Sequence, residues 1–78
     1  MARNAKDVER KVYVTIRSPY KRKSEKLETW RYWEIVGALQ WMGEERSEAY
    51  EVARIIFRKK PGTGIVLGSG VTLEVTEE

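Results

Sequence analysis

Neither cysteine nor histidine occurs in this 78-residue chain. Their absence excludes disulfides, catalytic thiols and Ser-His-Asp triads, and it removes the nitrogen and sulfur ligands of the usual zinc sites. Carboxylates are plentiful, but one group of them has the pattern of a solvated helix start rather than of a catalytic pair: Glu44, Glu45, Glu48 and Glu51. We therefore expect a binding protein that is not an enzyme and that uses no metal and no cofactor.

Long apolar runs are missing as well. No stretch approaches the roughly 18 apolar residues of a membrane span, and residues 1–10 are charged and contain no apolar segment typical of a signal peptide. A cytoplasmic protein without a membrane partner is expected. Because a chain this short buries a small fraction of its surface and has no disulfide or zinc site to help, a homodimer is the expected source of additional buried surface.

Charge is distributed unevenly along the chain. Residues 1–31 contain ten Lys and Arg against four acids, a balance of +6, whereas residues 32–78 contain five bases against eight acids, a balance of −3. This asymmetry indicates an anionic partner for the first half. A solvated basic arm is the alternative explanation.

The hydrophobic pattern predicts one α+β domain over residues 10–78, in the order β-α-α-β(β), preceded by a flexible arm at residues 1–9. Residues 10–17 alternate strictly, with Val12, Val14 and Ile16 on one side, as in a half-buried strand. Pro19 ends this strand because proline has no N–H to donate. A basic loop at residues 20–23 follows.

Two helices are predicted next. The first begins near Ser24 or Thr29, either of which is a suitable N-cap, and it runs to Met42. Gly43 then stands where a left-handed residue ends a helix. The second helix runs from about Glu45 to Lys59, and Pro61 and Gly62 end it. Its apolar face consists of Ala49, Val52, Ala53 and Ile56.

The first helix is apolar on two adjacent stripes. One stripe is expected to face the core: Tyr32, Ile35, Val36, Leu39 and Met42. The other stripe consists of Trp30, Trp33, Gly37 and Trp41, and a helix apolar around so much of its circumference is expected to be buried on two sides. We expect a second subunit to cover the tryptophans, rather than single-stranded nucleic acid to stack on them. The tail, residues 65–76, has the alternation and the central glycines of a β-hairpin or of one bent strand.

Two segments resemble the ribbon-helix-helix family of DNA-binding proteins. The first is the strand Lys11 to Arg17, and the second is Gly43-Glu44-Glu45-Arg46-Ser47-Glu48-Ala49, which is similar to the run that opens the second helix in that family. Together with the residues that follow, the resemblance covers about 35 of the 78 residues. It implies an intertwined dimer whose paired strands form an antiparallel ribbon in the DNA major groove, and a role in transcription regulation.

The resemblance also implies a set of DNA-binding residues. The outward side chains of the strand would face base edges: Lys11, Tyr13, Thr15 and Arg17. The start of the second helix, Arg46 and Ser47, would hold a phosphate. The basic loop residues Lys21, Arg22 and Lys23 would reach the DNA backbone.

Alternatives to this interpretation stay open. The alternation at residues 11–17 also describes an ordinary exposed sheet face. A hairpin of residues 12–17 and 25–29 leading into two helices is similar to the first part of the ATP-cone regulatory domain, although the Lys-Arg-x-Gly nucleotide signature of that family is missing. A protein-interaction module that binds an acidic surface through the basic loop, or a structural protein of a virion or other assembly, fits the same residues.

Overall fold

Within residues 11–78, the part of the chain that this computed structural model describes, four antiparallel strands form one sheet and two helices pack on one face of it. In chain order the elements are β1 Val12–Ser18, β2 Lys23–Glu28, α1 Tyr32–Trp41, α2 Arg46–Ile56, β3 Gly64–Val66 and β4 Thr72–Glu77. Across the sheet the strands lie in the order β2-β1-β4-β3. The predicted α+β class is confirmed. The predicted flexible arm, residues 1–9, lies outside the described residues.

The core lies between the sheet and the helices, and the alternation of β1 accounts for its sheet side. Val14 and Ile16 are fully buried, and they pair with Val75 and Leu73 of β4. The predicted apolar faces of both helices are also confirmed, since these side chains are buried: Ile35, Val36, Leu39, Met42, Ala49, Val52, Ala53 and Ile56. Tyr32 packs against this core while staying partly exposed.

The prediction that a helix begins near Ser24 or Thr29 was wrong, because residues 23–28 form strand β2. Glu25, Lys26, Leu27 and Glu28 are adequate helix formers by themselves. The long exposed edge of β1 overrides this preference: β2 pairs with it over six residues, and Leu27 lies opposite Val14 against the core. The predicted basic loop is consequently a turn at residues 19–22, and α1 begins only at Tyr32.

The predicted end of the first helix is confirmed at Gly43, which has a φ of 106°. The N–H of Gly43 donates to the carbonyl of Gln40 at 2.9 Å, and the N–H of Glu44 donates to that of Leu39 at 3.0 Å. This pair of bonds is a Schellman motif, which satisfies the last carbonyls of a helix.

The second helix is shorter than predicted. It begins at Arg46, and it ends at Ile56 rather than Lys59, because the N–H groups of Arg58 and Lys59 bond three residues back in tight turns. Of the two predicted alternatives for the tail, the structure has the hairpin, in which β3 pairs with β4 across the turn at residues 67–71.

Candidate nucleic-acid interface

The sheet face opposite the helices carries the β1 side chains that the sequence assigned to DNA. Since side chains alternate along a strand, the burial of Val14 and Ile16 turns Tyr13, Thr15 and Arg17 to this open face. The strand register adds the neighbouring side chains: Ser24, Lys26 and Glu28 from β2, and Thr72, Glu74 and Thr76 from β4. Tyr13 and Thr15 are half-buried among them, whereas Arg17 is exposed. Lys11 is exposed just before β1.

The middle of the open face is balanced in charge. Thr15 lies between Lys26 on β2 and Glu74 on β4. The ammonium of Lys26 lies 4.8 Å from the centre of the Tyr13 ring, and its Nζ is 3.9 Å from a carboxylate oxygen of Glu78. Neutralised cations of this kind offer little net attraction to an anion.

The end of the open face at Arg17 has a different character. Here the cross-strand neighbours of Arg17 are two hydroxyl residues, Ser24 and Thr72. A pocket of about 440 Å³ opens beside them, and Arg22 from the β1–β2 turn also lines it. Neither guanidinium has an ion pair or hydrogen bond within residues 11–78. The lining residues within 11–78 include no carboxylate: Arg17, Ser18, Pro19, Arg22, Lys23, Ser24 and Thr72. We call this the arginine pocket.

The β1–β2 turn, which contains Arg22, is stabilised by a hydrogen bond within it and by a contact with the β3–β4 turn. The N–H of Lys21 donates to the carbonyl of Ser18 at 3.1 Å, which closes a turn with Pro19 at its first corner. Tyr20 lies against Gly70 of the β3–β4 turn. Arg22 has a φ of 55°, a left-handed conformation that non-glycine residues seldom adopt. This backbone directs the chain from the turn into β2.

Lys23, which the sequence assigned to DNA, is engaged inside the protein. It lies on the helix side of β2, opposite the core-facing Ser18. Its Nζ donates to the carbonyl oxygen of Trp41 at 2.8 Å and lies 4.8 Å from the centre of the Trp41 ring. It thus supplies the cation that the last turn of α1 lacks. The ammonium of Lys21 reaches the neighbourhood of Gly43 at the same helix end.

Arg46 and Ser47 are not brought to the open face. They are exposed at the start of α2, and this helix packs on the opposite side of the sheet. Arg46 donates to the hydroxyl of Tyr50 at 3.4 Å, and this hydrogen bond raises the pKa of Arg46. One straight duplex therefore cannot touch the open face and the start of α2 at the same time.

The tryptophans form a second exposed surface: Trp33 and Trp41 lie on α1, and Trp30 lies in the turn just before it. We call Trp30, Trp33, Gly37 and Trp41 the tryptophan stripe; the three rings are 63%, 69% and 50% exposed. Trp33 contacts Tyr50 edge-on, with 5.6 Å between ring centres. Arg31 lies 4.8 Å from the centre of the Trp30 ring and pairs with Glu34 at 2.8 Å and with Glu28 at 3.5 Å. The hydrogen bond to Glu34 raises the pKa of Arg31.

Ser24 and Thr72 were missed by reasoning from the sequence. Their hydroxyls join the arginine pocket only because β2 and β4 flank β1. The available signal for β2 was the hairpin of residues 12–17 and 25–29 in the second resemblance, and the pairing of β1 with β2 agrees with it.

The position of β1 in the sheet bears on the ribbon that the family resemblance implies. Both edges of β1 are paired within the same chain, one with β2 and the other with β4. A ribbon made of β1 from two copies would require one of these neighbours to leave.

Comparisons of the chain with family models, with characterised proteins and with solved structures found no match. No helix within residues 11–78 combines the length and the apolar character needed to cross a membrane.

Proposed function

We propose that this chain is a small DNA-binding protein that grips the phosphate backbone at the arginine pocket and lays the open face of its sheet against the duplex. The single observation that carries the proposal is that two guanidiniums, Arg17 and Arg22, share one pocket in which the described residues provide neither a partner for them nor a carboxylate. Arginine binds phosphate in a bidentate geometry, and hydroxyls such as those of Ser24 and Thr72 are common additional phosphate ligands.

The width of the sheet favours contact with the backbone over reading of bases. Neighbouring strands lie about 4.8 Å apart, so four strands span about 14 Å between their outer axes, before side chains are added. The major groove is about 12 Å wide and admits a two-stranded ribbon. Only the β1–β2 end of the sheet, with the arginine pocket at its tip, is narrow enough to enter. We therefore expect phosphate contacts to dominate the affinity, with a modest contribution of Lys11, Tyr13 and Thr15 to sequence preference.

The test is a fluorescence anisotropy titration of a labelled duplex over a series of salt concentrations. Each phosphate contact contributes about −0.9 to the slope of log K against log salt. The double variant Arg17→Gln/Arg22→Gln should therefore reduce the magnitude of the slope by about 1.8. The matched control is Arg54→Gln/Arg58→Gln, which removes the same charge from exposed positions at the end of α2 and beyond it.

Two results would contradict the proposal. One is an equal loss of affinity in the control variant, which would mean that the net charge alone attracts DNA. The other is an unchanged slope in the Arg17→Gln/Arg22→Gln variant. A role in transcription regulation requires sequence preference, which Thr15→Ala tests: a change in the ratio of affinities for different duplexes supports it, and a uniform change opposes it.

The proposal includes a homodimer in the cytoplasm. A second copy doubles the number of arginine pockets, and two linked weak contacts bind far more tightly than one. The described surface that best suits a partner is the tryptophan stripe, because its three large rings are at least half exposed.

A further inference from the structure

We infer that two copies of this chain pack through the tryptophan stripe, as an antiparallel pair of α1 helices that cross at Gly37. This inference rests on the homodimer of the proposed function and is independent of DNA binding. Three properties of the stripe carry it: its position on α1, its area, and the gap at its centre.

The stripe lies on the side of α1 that points away from the core. Successive residues of an α-helix are about 100° apart. Trp33 and Trp41 therefore flank Gly37 by about 40° on either side, while the buried residues Ile35 and Leu39 lie close to the opposite direction. A surface helix normally has one apolar face. On the second apolar face of α1, Tyr50 touches the edge of Trp33 and Lys23 lies over Trp41, but both tryptophans stay at least half exposed.

The area is sufficient for a small dimer. A tryptophan contributes up to about 250 Å², so the exposures of Trp30, Trp33 and Trp41 leave at most ~450 Å² of aromatic surface per copy. Two copies would bury at most ~900 Å² from these side chains alone, close to the ~1,000 Å² at which specific interfaces begin. Gly37, Gln40 and the stems of flanking side chains add to this area.

Gly37 leaves the gap that permits a close crossing. A Cβ at this position would meet nothing within 4 Å, so the helix surface is open between the two flanking rings. Packed helix axes lie about 8–10 Å apart and each Cα lies about 2.3 Å from its axis. At the upper end of this range the two Gly37 Cα atoms would be about 5.4 Å apart. In an isologous pair, Trp33 of one copy then packs against Trp41 of the other.

Charge favours the antiparallel orientation. At the C-terminal end of the stripe the neighbouring charges are Lys21, Lys23 and Glu44, a balance of +1. At the N-terminal end Arg31 pairs with Glu28 and Glu34, and Arg46 lies over the Tyr50 ring that Trp33 contacts, a balance of 0. An antiparallel pair keeps the two +1 ends apart and opposes the two helix dipoles favourably.

The absence of cysteine makes a direct test available. The variant Gly37→Cys places one thiol at the proposed two-fold axis, within the Cα separation of about 4.4–6.8 Å that a disulfide requires. Under mild oxidation we expect it to form a covalent dimer at least tenfold faster than the control Glu51→Cys, whose thiol would lie on the exposed side of α2. Equal rates for the two variants would overturn the inference.

Non-covalent association is measured in parallel. Light scattering at tens of micromolar should find a dimer for the unmodified chain and a monomer for Gly37→Arg, a variant that the open surroundings of Gly37 allow to fold. Circular dichroism checks that fold. All three tryptophans belong to the stripe, so their emission should shift to shorter wavelength as concentration rises, and only in the unmodified chain. A monomeric unmodified chain, or a dimeric Gly37→Arg, refutes the inference.

The two proposals fail separately. A dimer that does not bind DNA removes the proposed function and leaves the interface. Salt-dependent DNA binding by a chain that stays monomeric removes the interface and leaves the arginine pocket.

Discussion

Replacing Lys23 by methionine separates stability from DNA binding. The ammonium of Lys23 donates to the carbonyl of Trp41 at 2.8 Å and lies 4.8 Å from the centre of the indole ring. Within residues 11–78 no backbone N–H bonds this carbonyl, since Gly43 and Glu44 bond those of Gln40 and Leu39. Methionine keeps the aliphatic stem and removes the charge, so Lys23→Met isolates the contribution of the ammonium.

The loss of folding stability in Lys23→Met can be estimated from three interactions of the ammonium. A hydrogen bond from a charged donor is worth about 1.5–3 kcal/mol, an exposed cation–π contact about 0.5–1 kcal/mol, and a cation at a helix C-terminus about 0.3–1 kcal/mol. They describe one ammonium and do not add, and water can replace the donor at this half-exposed site. We expect the free energy of unfolding to fall by about 1–2 kcal/mol.

Urea unfolding followed by circular dichroism measures this change, and the melting temperature should fall by about 4–8 °C for each kcal/mol. The control Lys60→Met removes one charge from an exposed residue and should stay within about 0.5 kcal/mol. The salt slope of DNA binding should not change. Unaltered stability together with a slope smaller by about 0.9 would refute this reasoning, because Lys23 would then contact phosphate instead of α1.

Three other perturbations test the remaining parts of the argument. Arg22→Gly should stabilise the fold by about 0.5–1 kcal/mol in urea unfolding, because glycine adopts the observed φ of 55° without strain. The same variant should weaken DNA binding. A less stable variant would contradict the first expectation. Gly43→Ala should lower the free energy of unfolding by about 1–2 kcal/mol in the same assay, because the φ of 106° is unfavourable for alanine. An unchanged urea concentration at the unfolding midpoint would contradict this. The dimer should bring two differently labelled duplexes together in an energy-transfer assay, whereas Gly37→Arg should bind one duplex without transfer; equal transfer in both would exclude bridging through the tryptophan stripe.

The elements predicted correctly are those whose signal is local. Val14 and Ile16 lie two residues apart on one strand, so their shared face follows from strand geometry alone. The apolar faces of α1 and α2 follow in the same way from helical spacing. Gly43 is recognisable because a left-handed residue after a helix is usually glycine. None of these inferences depends on distant parts of the chain.

Strand β2 and the arginine pocket depend on contacts that local sequence does not encode. The strand state of residues 23–28 is stabilised by pairing with β1 and not by the preference of Glu25, Lys26 and Leu27. The pocket requires Arg22 in a conformation that arginine disfavours, together with Thr72 from the far end of the chain. The sequence identified the two arginines as candidates but gave no reason to place them together.

The structure also changes how the excess of basic residues in the first half of the chain is interpreted. A balance of +6 over residues 1–31 suggested one basic surface for an anion. Among the bases of residues 11–31, Lys23 bonds α1, Lys26 approaches Glu78, and Arg31 pairs with two glutamates. Arg17 and Arg22 have no such partner within the described residues. A charge count measures how many cations a segment has, whereas affinity for phosphate depends on those that folding leaves unpaired. For that reason the proposal rests on a pocket with two arginines and not on the net charge, and the Arg54→Gln/Arg58→Gln control distinguishes the two explanations.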